Sequence, residues 1–423
     1  MADEWSSTTL GAVCGFAAGS AFPQSAQGNI VGKYPFIKVS DMNLPGNERF
    51  ITTANNWVSK ETQAKLRAKV HPEGSTVFAK IGVALTYNRR RILTQPTLID
   101  NNMMAAIPSD GVVDPLFFYY LLCTIDFNDI VVGTALPYLN ISDLSRIMAR
   151  LPSLREQQAI ACILGAMDDK IELNRTMNRT LEEMARAIFK SWFVHFDPVR
   201  AKAFGQQPPG LKPEIATLFP DCFEDSELGE IPKGWEVGCV DELAEVTSGK
   251  RPDARFAESS DEASVPLWGG NGPMSFVRKP LFDHPILLTG RVGTLGSVFR
   301  ITTPCWPSDN TLILQARVAD AYEYLYFQLQ NVDFASLNRG STQPLLTQTD
   351  LKMQRLVIPG KSALAVFSRI ANALFCRFDE SIAESRTLIA LRDSLLPRLI
   401  SGELRLPDAE RIAERALKRT LSR

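Results

Sequence analysis

Apolar residues recur at heptad-like intervals in two long stretches of this chain. Between Pro152 and Pro198, which enclose no other proline, the stripe runs Ile160, Ile163, Met167, Ile171, Met177, Leu181, Met184 and Ile188, with Asp, Glu, Arg and Lys filling the other positions. A second stripe runs Phe367, Ile370, Leu374, Phe378, Leu388, Leu391 and Leu395. A narrow stripe at this spacing predicts a helix that buries one seam. About 40 residues at about 1.5 Å each span roughly 60 Å. Such helices are poorly stable alone in water, so packing the two against each other is the economical solution. The other reading is that each lies across its own domain. Ser153 and Glu156 form a capping-box pattern at the start of the first helix.

The stripes lie in phase at a separation of 207 residues: Ile163 matches Ile370 and Leu181 matches Leu388. The same separation relates Asp126-Phe127 to Asp333-Phe334, Gly133 to Gly340, Pro137 to Pro344, Leu139 to Leu346, Asp143-Leu144 to Asp350-Leu351 and Pro152 to Pro359. Upstream the match continues with looser spacing: Trp5 and Gly19 answer Trp235 and Gly249 at a lag of 230, and Gly82 answers Gly293 at 211. A repeat this long is a duplicated domain, since solenoid periods run about 20–50 residues. Insertions collect in the globular parts, because one extra residue turns a helical stripe by about 100°.

The remaining segments read as mixed α/β. Strand-like runs occur at Tyr34–Val39, Val83–Tyr87 and Met103–Ile107. Asp114-Pro115 opens an apolar helix whose counterpart begins near Asp320. The expected organisation is therefore a first domain over 1–152, a helix over 153–197, a proline-rich linker over 198–233, a second domain over 234–360, a helix over 361–402 and a tail over 403–423. Within that tail, 407–421 has the pattern of a short amphipathic helix. A linker that stays local makes the helices antiparallel, with one globular domain at each end. Asn174 falls on the first stripe and lines up with Ser381; these two either set the register of the seam or face solvent. The cluster Trp192-Phe193-Val194-His195-Phe196 ends the first helix, either packing it onto the next domain or offering a contact to a partner.

Composition narrows the function. The chain has 423 residues, 45% hydrophobic and 22% charged, with a net charge of −1. That is ordinary for a globular protein, and no run of about 18 apolar residues predicts a membrane span. MADEWSSTTLG lacks a basic start with an apolar core, so no signal peptide is expected. Seven scattered cysteines without a CxxC suit a reducing cytoplasm and argue against a zinc site. Three histidines (71, 195 and 284) supply little material for acid–base chemistry. There is no P-loop and no GxGxxG turn. Residues 1–152 carry 13 Lys+Arg against 12 Asp+Glu, so any anion-binding surface must be local.

Three strings together resemble one family. ILGAMDDKIELNRTMNRTLEEMARAIFKSWFVHFDPV (163–199) is similar to the central region of the specificity subunit of type I restriction–modification enzymes. SELGEIPKGWEV (226–237) resembles the entry to its second target-recognition domain, and LRDSLLPRLISGEL (391–404) its distal region. The resemblance covers nearly the whole chain. It implies two target-recognition domains, each reading half of a bipartite site in double-stranded DNA. It also implies an antiparallel helical spacer that sets the gap between the half-sites, and no catalysis by this subunit. The implied partners are two methyltransferase subunits and, for cleavage, restriction subunits. S-adenosylmethionine, ATP and Mg would belong to those partners. The rival reading is a coiled-coil scaffold that displays two ligand-binding domains and never meets DNA. A self-contained methyltransferase-nuclease is disfavoured by the missing motifs.

Candidate DNA-contacting residues follow from chemistry. Arg, Lys, Asn, Gln, Asp, Ser and Thr read base edges, while Lys, Arg and backbone N–H groups meet phosphates. A basic residue two before a glycine occurs at Lys80 and Arg291; the alternative there is a hairpin turn with a solvated cation. Arg89, Arg90 and Arg91 form a basic run, of which Arg89 and Arg90 are the candidates. Asn101-Asn102 and Asp309-Asn310 sit at matching places, either reading bases or making turns with their own backbone. The Gly133–Pro137 and Gly340–Pro344 loops contribute Thr134 in the first copy and Arg339, Ser341, Thr342 and Gln343 in the second, with Thr294 beside Gly293. Lys250, Arg251 and Arg255 lie in a loop of the second copy that either touches phosphate or is merely solvated.

Overall fold

The computed structural model describes residues 5–133, 136–293, 295–340, 342–406 and 408. The chain divides into two compact units, Met1–Thr176 with Ser381–Arg423, and Met177–Glu380. The boundary cuts through both long helices, so each unit holds one mixed α/β domain and one half of each helix.

In the first unit the main sheet contains β1 (Cys14–Ala18), β2 (Thr76–Ala79), β3 (Arg90–Leu93) and β4 (Met103–Pro108), in the order β1-β4-β2-β3. Phe50–Ile51 extends it in parallel beside β3. A smaller sheet joins Tyr34–Ile37, Trp57–Val58, Val70–His71 and Thr97–Ile99. In the second unit β5 (Ala244–Ser248), β6 (Ile286–Gly290), β7 (Val298–Ile301) and β8 (Thr311–Ala316) take the same order, β5-β8-β6-β7. Its smaller sheet has three strands, Val265–Gly269, Gly272–Val277 and Trp306–Pro307. Each domain is closed by its own first and last strands, paired antiparallel: Ser6–Thr9 with Met148–Leu151, and Glu236–Cys239 with Arg355–Ile358.

An apolar helix covers each main sheet. α1 (Pro115–Cys123) starts where the Asp114 carboxylate accepts from the N–H groups of Leu116 and Phe117, with Pro115 in the first turn, where its missing donor costs nothing. Its counterpart α3 (Tyr322–Gln330) follows a 3₁₀ turn at Ala319–Ala321. The chain departs from the expected pattern at Val83–Tyr87. Val83–Thr86 is a single helical turn and not a strand, because Gly82 turns the backbone at φ +82° just before it.

The long helices are α2 (Leu154–Phe193) and α4 (Lys361–Ser401). In the first unit Ile160, Leu164, Met167 and Ile171 of α2 share one buried core with Leu388, Leu391, Leu395 and Leu399 of α4. In the second unit Ala185, Phe189 and Trp192 of α2 share a core with Ala363, Phe367, Ala371 and Phe375 of α4. The start of one helix meets the end of the other in both cases, so the pair runs antiparallel. In the later part of α2 the seam passes through Ala185, Phe189 and Trp192, whereas Met184 is 48% exposed. The predicted stripe is therefore one residue out there. The aromatic rings of Tyr324, Phe327 and Phe367 surround Phe189 at 5.3–6.1 Å and draw that line inward.

At the middle of the seam Asn174 is fully buried. Its amide nitrogen donates to the Ser381 carbonyl at 3.3 Å, to Glu384 Oε2 at 2.9 Å and to Ser385 Oγ at 3.2 Å. Solvent is excluded as its partner, and the register reading accounts for the contacts. At the helix start Glu156 N–H donates to Ser153 Oγ at 3.4 Å. The Glu156 carboxylate pairs with Arg405 at 3.2 Å.

Residues 198–233 are more than a tether. They carry the end of a helix at Asp197–Ala203, a turn at Pro213–Ala216 and a hairpin from Phe223–Ser226 to Gly229–Pro232, and they bury Val199, Phe219 and Ile231. Trp192, Phe193 and Phe196 pack into the same core. The helix expected over 407–421 lies, apart from Asp408, outside the described residues. No helix among the described residues is long and apolar enough to cross a membrane.

Candidate nucleic-acid interface

Three remote segments meet at one corner of the first domain. Lys80 directly follows β2, and its N–H donates to the Asn102 carbonyl at 2.7 Å, while Leu139 N–H donates to the Lys80 carbonyl at 3.0 Å. Two residues on, Gly82 N–H donates to the Pro137 carbonyl at 2.8 Å, and Ile81 bridges Tyr138. Gly82 and Gly133 both have φ near +85°, a region open to glycine at little cost.

The second domain builds the same corner from matching residues. Arg291 N–H donates to the Asn310 carbonyl at 2.9 Å, Leu346 N–H to the Arg291 carbonyl at 2.9 Å, and Gly293 N–H to the Pro344 carbonyl at 3.0 Å. Val292 bridges Leu345, and Gly293 has φ +83°. A Cβ on Gly340 would fall 1.8 Å from the Gln343 carbonyl oxygen, so only glycine allows that turn. The glycines that repeat near each start have a related role. A Cβ on Gly19 would lie 1.9 Å from the Asp100 carbonyl, and one on Gly249 would lie 2.1 Å from that of Ser308. In each domain the backbone leaving the first sheet strand is pressed against the turn that precedes the last one.

The basic-x-Gly segments, the Asn/Asp turns and the Gly-to-Pro loops are thus brought together in each unit. Lys80 and Arg291 are half-buried, while Asn101, Asn102, Asp309, Asn310, Thr342 and Gln343 are exposed. Asn102 is also engaged locally: its N–H and side-chain amide donate to the Asp100 carboxylate at 2.9 and 3.3 Å. Burial raises the pKa of the Asp100 carboxyl, and the Asn102 contacts partly offset this. Lys250 and Arg251 are exposed on the loop after Gly249, and Trp306 Nε1 donates to the Lys250 carbonyl at 2.7 Å. Arg251, Arg255, Asp309 and Asn310 line one cleft of about 490 Å³. Thr134, Thr294 and Ser341 lie outside the described residues.

Three arginines need correction. Arg90 is only 4% exposed; its guanidinium donates to the Asn88 and Ile125 carbonyls and stacks on the Phe127 ring at 3.9 Å. It braces the sheet and offers no free face to a phosphate. Arg89 donates to Asn43 Oδ1 at 2.6 Å and sits over the Tyr87 ring at 4.7 Å, which leaves it half-exposed and already engaged. Arg339 is exposed, yet its guanidinium grips the Asp350 carboxylate as a fork, with its shortest bond at 2.8 Å. That pairing neutralises its charge locally and pulls the Asp350 pKa below the usual carboxylate range. Arg339 therefore anchors its loop.

The sequence reading passed over the apolar members of the first corner. Val83 is 69% exposed, Leu136 57%, Val132 40% and Tyr138 39%. Single exposed apolar residues carry little signal in a sequence. Only alignment of the two copies, position by position, would have singled these out. Among the described residues no group of three or more His, Cys, Asp or Glu side chains is placed to hold a metal.

Comparison with known proteins places this geometry in context. The family model for the type I restriction modification DNA specificity domain matches residues 2–183 and again 232–375. The chain is similar to the specificity subunit of the type I restriction enzyme HindI of Haemophilus influenzae, with 25% identity over 382 residues covering 73% of this chain and 81% of that one. It is similar to the MjaIX specificity subunit of Methanocaldococcus jannaschii, with 25% identity over 393 residues covering 85% and 84%. Among solved structures, the S subunit of the type I restriction-modification system of M. genitalium matches over 94% of this chain and 96% of its own, with a TM-score of 0.60 at 16% identity. At that identity the likeness concerns the fold.

Proposed function

Because this chain belongs to the type I restriction-modification DNA specificity family, we propose that each corner docks on one half of a bipartite site in duplex DNA. The chain is a non-catalytic specificity subunit: it recognises sequence, and other subunits act on the DNA. The observation that supports the docking surface is the corner built twice. In each unit a basic residue, a polar turn and a Gly-to-Pro loop are held together by the same set of backbone hydrogen bonds. Backbone bonds hold the frame while the exposed side chains are free to vary, which suits a reader that must change specificity without losing its fold.

In this reading Lys80 and Arg291, with Lys250 and Arg251, contact phosphates and position the corner. Asn101, Asn102, Asp309, Asn310, Thr342 and Gln343 face base edges, where Asn suits adenine and Asp accepts from the cytosine amino group. The two corners differ in side chains, so the half-sites differ and the full site is asymmetric. Two methyltransferase subunits bind this chain and flip a target base out of each half-site for modification, and restriction subunits join for cleavage. S-adenosylmethionine, ATP and Mg are held by those partners, and the complex works in the cytoplasm. With a net charge of −1, the chain alone binds DNA weakly, since phosphate neutralisation supplies most non-specific affinity.

Methylome sequencing of cells with and without this chain tests the proposal. The expected result is one bipartite, asymmetric motif that is methylated only when the chain is present. A methylation pattern indifferent to the chain would leave the non-DNA scaffold as the better reading.

A further inference from the structure

The two corners share a frame but present opposite chemistry at matching positions. Val132, Leu136 and Val83 of the first unit correspond to Arg339, Gln343 and Thr294 of the second. Leu136 is 57% exposed and lies beside Gly82, whose added Cβ would be 3.9 Å from Leu136 Cδ1. Val83 follows Gly82 directly and is 69% exposed. Val132 and Tyr138 form a bridge at the neck of the same loop, both partly exposed. The first corner therefore presents a small apolar surface beside Lys80, with the exposed Asn101 and Asn102 on the neighbouring turn. On the matching loop the second presents the exposed side chains of Thr342 and Gln343, both able to hydrogen-bond.

We infer that the first unit reads its half-site partly by apolar contact with a thymine 5-methyl group in the major groove, whereas the second reads its half-site by hydrogen bonds. The inference rests on the corners being the DNA-docking surfaces. In the major groove the thymine methyl is the apolar feature that a base pair presents, and Val, Leu or Ala side chains suit it. A few apolar side chains set among polar neighbours form too small a patch for a stable protein–protein contact, which needs about 800 Å² from each partner. Both corners also carry a cation at the matching position, Lys80 in the first and Arg291 in the second, which suits a polyanionic partner. Duplex DNA is the occupant that suits both corners.

The test uses the complex with its methyltransferase subunits and a duplex carrying the mapped site. Each thymine is replaced in turn by uracil, which deletes the 5-methyl group and leaves the pairing edge intact. The half-site read by the first unit is the one that changes when residues 1–152 are exchanged for another such domain. Replacing one thymine there should weaken binding about fourfold, the ratio for losing burial of one methyl-sized group worth about 0.8 kcal/mol. Uracil in the other half-site should leave affinity unchanged. Leu136→Gln or Val83→Asn should bind the thymine duplex less tightly and no longer distinguish it from the uracil duplex. The inference is overturned if the first half-site holds no A·T pair, if no uracil in it matters, or if both variants keep the preference. It is equally overturned if the variants lose the methyltransferase subunits, since the patch is then a protein contact. A complex with no sequence preference at all would instead sink the docking reading beneath it.

Discussion

His71 is fully buried in the first domain, and neither ring nitrogen has a hydrogen-bond partner among the described residues. Burial, helped by Lys69, pushes its pKa down to about 4. In the unfolded chain a histidine titrates near 6.5. Between these values the unfolded state binds the extra proton, so stability falls as the pH drops through that window. The slope is at most about 1.4 kcal/mol per pH unit. Urea midpoints at pH 7 and pH 5 should therefore separate in the native protein, and His71→Asn should narrow the gap. An unchanged gap would mean that other groups carry the acid sensitivity. Other residues were legible earlier for a plain reason. Gly19, Gly249 and Gly340 recur because a Cβ there would strike backbone, and an exact steric demand leaves a mark in any copy. Arg90 misled because a basic run looks the same whether it faces water or stacks on Phe127.

The helices show how far a pattern carries at the scale of an element. Their length and shared phase could be read directly, because a 3.5-residue repeat leaves few alternatives. The slip of the seam to Ala185, Phe189 and Trp192 could not, since it depends on which aromatic rings of the domain meet that face. In the first unit the α2–α4 pair is tied to its domain through Asp168. This carboxylate accepts from Tyr120 Oη of α1 at 2.6 Å and from Arg392 of α4 at 2.6 Å, with Arg49 at 3.8 Å. It is only 11% exposed, and the two arginines around it are largely covered. Asp168→Ala leaves the arginines and the tyrosine hydroxyl without their shared acceptor. The expected cost is about 2–3 kcal/mol, read as a lower chemical-denaturation midpoint. A midpoint within error of the native value would show that water replaces the carboxylate.

For the whole molecule, the duplication means that two readers are joined through helices that kept their phase while the loops diverged. Seven residues inserted into both helices at matching positions preserve the stripe and add about 10 Å of helix. At about 3.4 Å per base pair the mapped motif should gain about three base pairs in its gap and keep the bases read on either side. A changed set of bases with an unchanged gap would refute the helices as spacer.

The amino-acid sequence alone determined the duplication, the two striped helices, the glycine positions and the family, because each is a repeated or periodic constraint that survives in one dimension. Only tertiary structure decided which candidates share a surface. Lys80, Asn102 and Leu139 meet through hydrogen bonds between backbone atoms far apart in the chain, and a main-chain contact has no residue code. Burial likewise separated Arg90 from Lys80, and pairing separated Arg339 from Gln343. Exposure and partnership belong to the packed chain and are not carried by the residue type.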